Sequence, residues 1–183
     1  MTAEEYLAWE REQGQRHEYV QGEVFAMSGG SPRHAALIAA ITSELVVGHR
    51  GGPCRALSTD QRIVAREGDH YVYADASVVC GPMRLASGTK DVLTNPSVVV
   101  EVLSKSTEGY DRGKKWDGYR DIASVGDYLL VSQSAPRIEH FQREEGGEWH
   151  YRVVGAGGRV SLKTGAVVEV DAVFRGVFEL EGE

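Results

Sequence analysis

A single carboxylate sits inside a run of branched aliphatic residues, Ser97-Val98-Val99-Val100-Glu101-Val102-Leu103. The run has the length and composition of a buried strand. An ionised carboxylate is costly in such a place unless it is paired, hydrogen-bonded or bound to a metal. Glu101 therefore demands a compensating group, and the fold must bring one to it. Upstream, Tyr71 to Val79 is a second strand-like run holding one acid, Asp75. Downstream, the stretch from about Thr107 to Ala123 reads as a helix and carries Lys115. Three- and four-residue spacings are neighbours on a helix, so Lys115, Tyr119 and Ile122 share one face, which points at the sheet. A competing arrangement lays the Lys115 stem along the surface with its ammonium in solvent. For each acid, separately, the competing placement is at a strand's end or facing solvent. Two acids and a lysine on neighbouring elements are otherwise the parts of a metal-dependent phosphodiester-cleaving site. Hard oxygen ligands from adjacent strands suit Mg²⁺, with Mn²⁺ as the alternative ion.

The rest of the chain supplies a frame for these elements. Thr2-Ala3-Glu4-Glu5 is a capping-box pattern that predicts a helix from about Ala3 to Glu12. His17 to Met27 reads as strand with a turn near Gln21-Gly22, and Ser28 to Pro32 as loop. Pro32 opens an apolar helix that Gly51-Gly52-Pro53 ends. Strands are expected at Cys54 to Leu57, Gln61 to Ala65, Tyr128 to Ser132, Ile138 to Arg143 and Trp149 to Val154, and a loop at Pro82 to Asn95. The Val167 to Val173 stretch fits strand or short helix. Strand, helix and strand from Ser97 to Ser132 imply a crossover connection on a mixed sheet. The expected class is α/β or α+β, a central sheet flanked by helices, with residues 1–183 forming one domain.

Charge and cysteine content narrow the setting. The net charge of −7 counts against generic nucleic-acid binding, although Ser104 to Arg120 concentrates Lys105, Arg112, Lys114, Lys115 and Arg120. Cys54 and Cys80 read as reduced thiols of a cytoplasmic protein, with a disulfide as the alternative. No apolar stretch approaches the roughly 18 residues of a membrane span, and the acidic start lacks a secretory h-region. Gly109 to Lys115 is one residue too short between its glycines for a P-loop and has no Ser or Thr after Lys114. Neither a nucleophile elbow nor a zincin motif occurs.

Taken in order, several segments resemble the Uma family of restriction endonucleases, within the PD-(D/E)xK nuclease superfamily. They are His17-Glu18-Tyr19-Val20-Gln21-Gly22-Glu23, Ser31-Pro32-Arg33-His34, Tyr73-Ala74-Asp75-Ala76-Ser77-Val78-Val79, Val100-Glu101-Val102-Leu103-Ser104-Lys105-Ser106-Thr107, the Asp111…Lys115…Tyr119 spacing and Gly126-Asp127-Tyr128-Leu129-Leu130-Val131. The resemblance implies a restriction-endonuclease-like fold and a DNA substrate. It makes Asp75 and Glu101 metal ligands, Lys115 the catalytic lysine, and Glu18 a further carboxylate; His34 lies near the site or serves as a packing or capping residue. The superfamily lysine usually stands two residues after the second acid, where this chain has Leu103, so Lys115 substitutes for it from the following helix. Ala74 stands in place of the family's proline before Asp75, Lys105 in place of the proline after Ser104, and Asp127 in place of glutamate.

The expectation is a Mg²⁺-dependent endonuclease acting on DNA, with a homodimer consistent with cutting two strands. The alternative is a non-catalytic module on the same fold that binds nucleic acid or protein. A weaker third reading is a carboxylate-pair glycosidase, in which Lys115 has no task.

Overall fold

The computed structural model describes residues 1–27 and 29–180; Ser28, at the start of the expected loop, and residues 181–183 lie outside the described residues. Thr2 caps helix α1 (Ala3–Glu10) through the expected box, its hydroxyl accepting from Glu5 N while Glu5 accepts from Thr2 N. Strands β1 (His17–Val20) and β2 (Glu23–Ala26) form a hairpin. Its turn places Gln21 and Gly22 both at positive φ, 51° and 89°, as a two-residue primed turn requires. Helix α2 (Pro32–Gly48) starts with Ser31 as cap and Pro32 in the first turn, where its missing N–H costs nothing.

The middle of the chain carries β3 (Cys54–Leu57), β4 (Arg62–Arg66), β5 (His70–Tyr73), β6 (Ala76–Cys80), a short β7 (Val92–Leu93) inside the expected loop, and β8 (Val98–Val102). A helical passage follows. It consists of α3 (Glu108–Tyr110), a π-helical stretch (Asp111–Lys115) and α4 (Trp116–Asp121). Then come β9 (Asp127–Val131), β10 (Arg137–Arg143), β11 (Trp149–Gly155), β12 (Arg159–Ser161), β13 (Val167–Glu169) and α5 (Val170–Phe174). The ambiguous C-terminal stretch is thus strand and then helix.

Among the described residues the strands form a five-stranded sheet, ordered β2-β1-β5-β4-β7, and a six-stranded sheet, β11-β10-β9-β8-β6-β3, with β12-β13 as a separate ribbon. The mixed α+β class holds, with strands shared between two sheets rather than gathered in one. The predicted crossover is present: β8 and β9 are parallel and the α3–α4 passage connects them. The expected single strand from Tyr71 to Val79 divides at Ala74-Asp75, its first part joining one sheet and its second the other. Asp75 thereby stands at the junction of the two sheets.

Side-chain alternation on β8 decides what each face meets. Val98, Val100 and Val102 pack with Leu37, Ile41 and Leu45 of α2, which recur every four residues on that helix. Val99 and Leu103 turn the other way and pack with Tyr119, Ile122 and Tyr128. Glu101 belongs to this second face, beneath the helical passage. The passage also touches the five-stranded sheet: a Cβ on Gly118 would stand 2.7 Å from Ala65 Cβ and 2.8 Å from His70 Nδ1. Only a residue without a side chain allows α4 to lie this close to β4 and β5.

Cys54 and Cys80 correct the sequence reading. They are joined in a disulfide, because the β3–β6 ladder sets them directly opposite with Cα atoms 3.9 Å apart. That register depends on tertiary pairing, which the spacing of two cysteines does not encode.

Replacing Gly118 with Ala forces α4 away from β4 and should destabilise the protein by about 1–3 kcal/mol. A denaturant midpoint unchanged from wild type would show that the close approach is not a constraint.

Candidate active site

Two ladders bring the carboxylates together. Strand β6 runs antiparallel to β8 with Ala76 opposite Val100; Asp75 immediately precedes Ala76 and Glu101 immediately follows Val100, so both acids stand at the end of this ladder. Both acids line one cavity there. Asp75 Oδ2 accepts from Val102 N at 2.7 Å, which ties the start of β6 to the end of β8. Glu18 arrives from β1 of the other sheet, where its Oε1 accepts from Tyr73 N at 3.1 Å.

Lys115 is the hub. Its side chain is buried, and the solvent-directed alternative for it does not occur. Nζ donates to Glu101 Oε1 at 3.1 Å and to the Tyr73 carbonyl at 3.1 Å. It also forms ion pairs with Glu18 Oε1 at 3.0 Å and Asp111 Oδ1 at 3.7 Å. Tyr119 donates its hydroxyl to the same Glu101 oxygen at 2.9 Å. The helical passage therefore contributes Asp111, Lys115 and Tyr119 at four-residue intervals from one face. The passage has the expected extent but not a regular pitch. Its π-helical stretch loosens the ladder, and the Tyr128 hydroxyl donates to the Asp111 carbonyl at 3.0 Å as part of the compensation.

All four predicted site residues, Glu18, Asp75, Glu101 and Lys115, line one cavity of about 1050 Å³. His34 joins them from the first turn of α2, with Nε2 3.0 Å from the Val102 carbonyl and 3.6 Å from Asp75 Oδ2. Sequence reading gave no role to Asp111, and Tyr119 was placed only as a core residue. The signal for both was present: each lies four residues from Lys115 on a helix that buries Lys115.

The electrostatics are unbalanced. Four carboxylates, those of Glu18, Asp75, Glu101 and Asp111, surround one ammonium. Burial pushes the Glu101 carboxyl well above the usual carboxylate range, with Lys115 opposing and the neighbouring acids adding to the rise. Burial likewise raises Asp75 and Asp111. Desolvation works to lower the Lys115 ammonium, but Glu101, Glu18 and Asp111 outweigh it and hold the lysine well above its ordinary value. The surrounding acids thus favour the protonated amine, whose Nζ donates the hydrogen bonds described above.

The donor set suits a hard cation. Asp75 uses Oδ2 for its hydrogen bond and Glu101 uses Oε1 for both of its own. Asp75 Oδ1 and Glu101 Oε2 have no hydrogen-bond partner among the described residues. Two free carboxylate oxygens in an acid-rich cavity fit Mg²⁺, which binds through one or two carboxylates and keeps several waters. Among the described residues no group of three His, Cys, Asp or Glu side chains converges as a metal-ligand cluster, so a bound ion would draw its other ligands from water or substrate.

Comparison with known proteins gives the family and the fold. A family profile described as "Uma2: Putative restriction endonuclease" matches residues 3–180. An uncharacterized protein of Synechocystis sp. is 38% identical over 179 residues, covering 97% of this chain and 93% of its own length. A second uncharacterized Synechocystis protein is 31% identical over 149 residues, covering 81% and 84% respectively. The crystal structure of a protein from Anabaena variabilis, described as a putative nuclease, superposes with a TM-score of 0.78. It is 16% identical in sequence, and the match covers 97% of this chain and 99% of that one, so the likeness is one of fold.

Two outcomes follow for the metal-free protein. Lys115→Ala leaves buried carboxylates without their cation and should cost about 3–5 kcal/mol in denaturant unfolding. Because the folded pKa values of Asp75, Glu101 and Asp111 are raised, the folded state binds those protons more tightly than the unfolded chain. Their contribution to stability is therefore greatest below the unfolded carboxylate range and falls as pH rises through the folded values. Glu101→Gln should flatten this part of the pH–stability curve; a curve parallel to that of wild type would contradict the assignment.

Proposed function

The chain belongs to the Uma2 restriction endonuclease family, and on that premise we propose that it is a divalent-metal-dependent endonuclease that hydrolyses DNA phosphodiester bonds. The observation that carries this reading is the convergence of Lys115 with Glu18 and Glu101, at 3.0 and 3.1 Å, in a cavity that Asp75 also lines. Asp75 Oδ1 and Glu101 Oε2 would hold the ion, Mg²⁺ or Mn²⁺. When bound, the ion supplies charge neutralisation at the phosphate and lowers the pKa of a water.

The protein's own groups have separable tasks. The protonated Lys115 amine stabilises negative charge that develops on the phosphate, and its recessed position strengthens that interaction. Glu18 and Asp111 keep it charged and fix where Nζ points. Tyr119 and Lys115 both occupy Glu101 Oε1, which orients the carboxylate and leaves Oε2 without a hydrogen-bond partner among the described residues. Hydrogen bonding to Val102 N orients Asp75 in the same way. These constraints preorganise the site before substrate arrives. The free oxygens of Asp75 and Glu101 favour a hydrolase over a binding module that has no use for a cation.

With Mg²⁺ or Mn²⁺, purified protein should cut DNA, and Asp75→Asn or Glu101→Gln should lower the rate by about 10²-fold or more. Calorimetric titration with Mn²⁺ provides a readout independent of turnover. Binding that persists unchanged in Asp75→Asn would remove the basis for this ligand assignment.

A further inference from the structure

Phe25 lies on β2, an edge strand of the five-stranded sheet, and is 43% exposed. Its partner across the hairpin is Glu18, so both side chains stand on the same face with Cβ atoms about 4.5–5.5 Å apart. The phenyl ring accordingly lines the cavity beside a carboxylate of the site, and it has no ring partner among the described residues. Two lysines, Lys105 and Lys114, line the same cavity. Both are exposed and lack an ion-pair partner among the described residues. The floor lies deeper, with Glu101 only 2% and Lys115 5% exposed.

We propose that the site takes an unpaired DNA strand, with a base stacked on Phe25 and backbone phosphates on Lys105 and Lys114. An aromatic side chain can stack only on a base whose π face is uncovered, which a strand offers along its length and a duplex interior does not. A flexible strand can bend one phosphate down to recessed groups, whereas a stiff duplex holds its phosphates on the outside of a wide rod. The two lysines supply local attraction that the net charge of −7 withholds elsewhere. This inference rests on the nuclease reading and adds the form of the substrate to it.

The test is fluorescence anisotropy with labelled oligothymidylate and with a blunt duplex of equal length, in Ca²⁺, with a gel to monitor cleavage. Wild type should bind the single strand at least about tenfold more tightly than the duplex, and Phe25→Ala should weaken single-strand binding about tenfold. Phe25→Trp should restore it. Each of Lys105→Ala and Lys114→Ala should reduce the slope of log affinity against log salt by about 0.7. Thermal melts of the Phe25 variants check folding, and the exposed ring predicts no large change. Equal or tighter duplex binding, an unchanged affinity in Phe25→Ala, or no binding of either form overturns the proposal. A clear strand preference without Mg²⁺-dependent cleavage counts against the nuclease reading alone.

Discussion

One buried ammonium holds this structure's functional region together. Lys115 Nζ reaches a carboxylate on β1, a carboxylate on β8, a carboxylate one helical turn before it and a backbone carbonyl on β5. These groups come from both sheets and from the helical passage between β8 and β9. A strand such as β8, with valines on both faces, tolerates Glu101 only because that ammonium and the Tyr119 hydroxyl are already in position. Conversely, a lysine at 5% exposure persists in a protein interior only among acids. Each group is the condition for the other's burial, so the site and the inter-sheet junction are one arrangement.

The surplus of negative charge is the second organising fact. A purely structural ion pair would be closer to neutral, as the Arg112–Glu139 pair is. There two guanidinium nitrogens meet two carboxylate oxygens at 2.6 and 2.7 Å, and Arg112 holds the Glu139 carboxyl below its ordinary range. Around Lys115 the balance tips the other way, and three carboxyls are raised by burial. Such an imbalance costs stability in the metal-free protein, and a bound cation, as proposed above, would offset it.

Much of the fold was legible because the signals were local. The Thr2–Glu5 capping box, the Gln21-Gly22 turn and Ser31-Pro32 ahead of an apolar helix are chemical devices read within four residues, and each appears where expected. Other features were not legible. The π-helical stretch escaped because the hydrogen bond that helps to compensate it comes from Tyr128, outside the helix, whose hydroxyl donates to the Asp111 carbonyl. The division of the Tyr71–Val79 run escaped because both halves have the same strand-like composition. His140 shows the same limit: fully buried, with Nε2 2.7 Å from Asp127 and its other ring nitrogen accepting from Arg152, it completes a polar network that no linear spacing announces.

What the sequence determined alone was the inventory: an acid inside an aliphatic strand, a second acid in another strand, and a lysine on the face a helix turns inward. Burial makes each of those residues expensive by itself, and that expense is readable from composition and period. Tertiary structure decided the rest. The β6–β8 pairing brought Asp75 to the end of β8 near Glu101, the contact at Gly118 drew the helix down onto the other sheet, and the β1–β2 hairpin delivered Glu18 with Phe25 beside it. The β3–β6 ladder joined two cysteines that the sequence left apart. Registers and close approaches arise from pairings between distant segments, and the energy of such pairings is shared by residues that no local window contains.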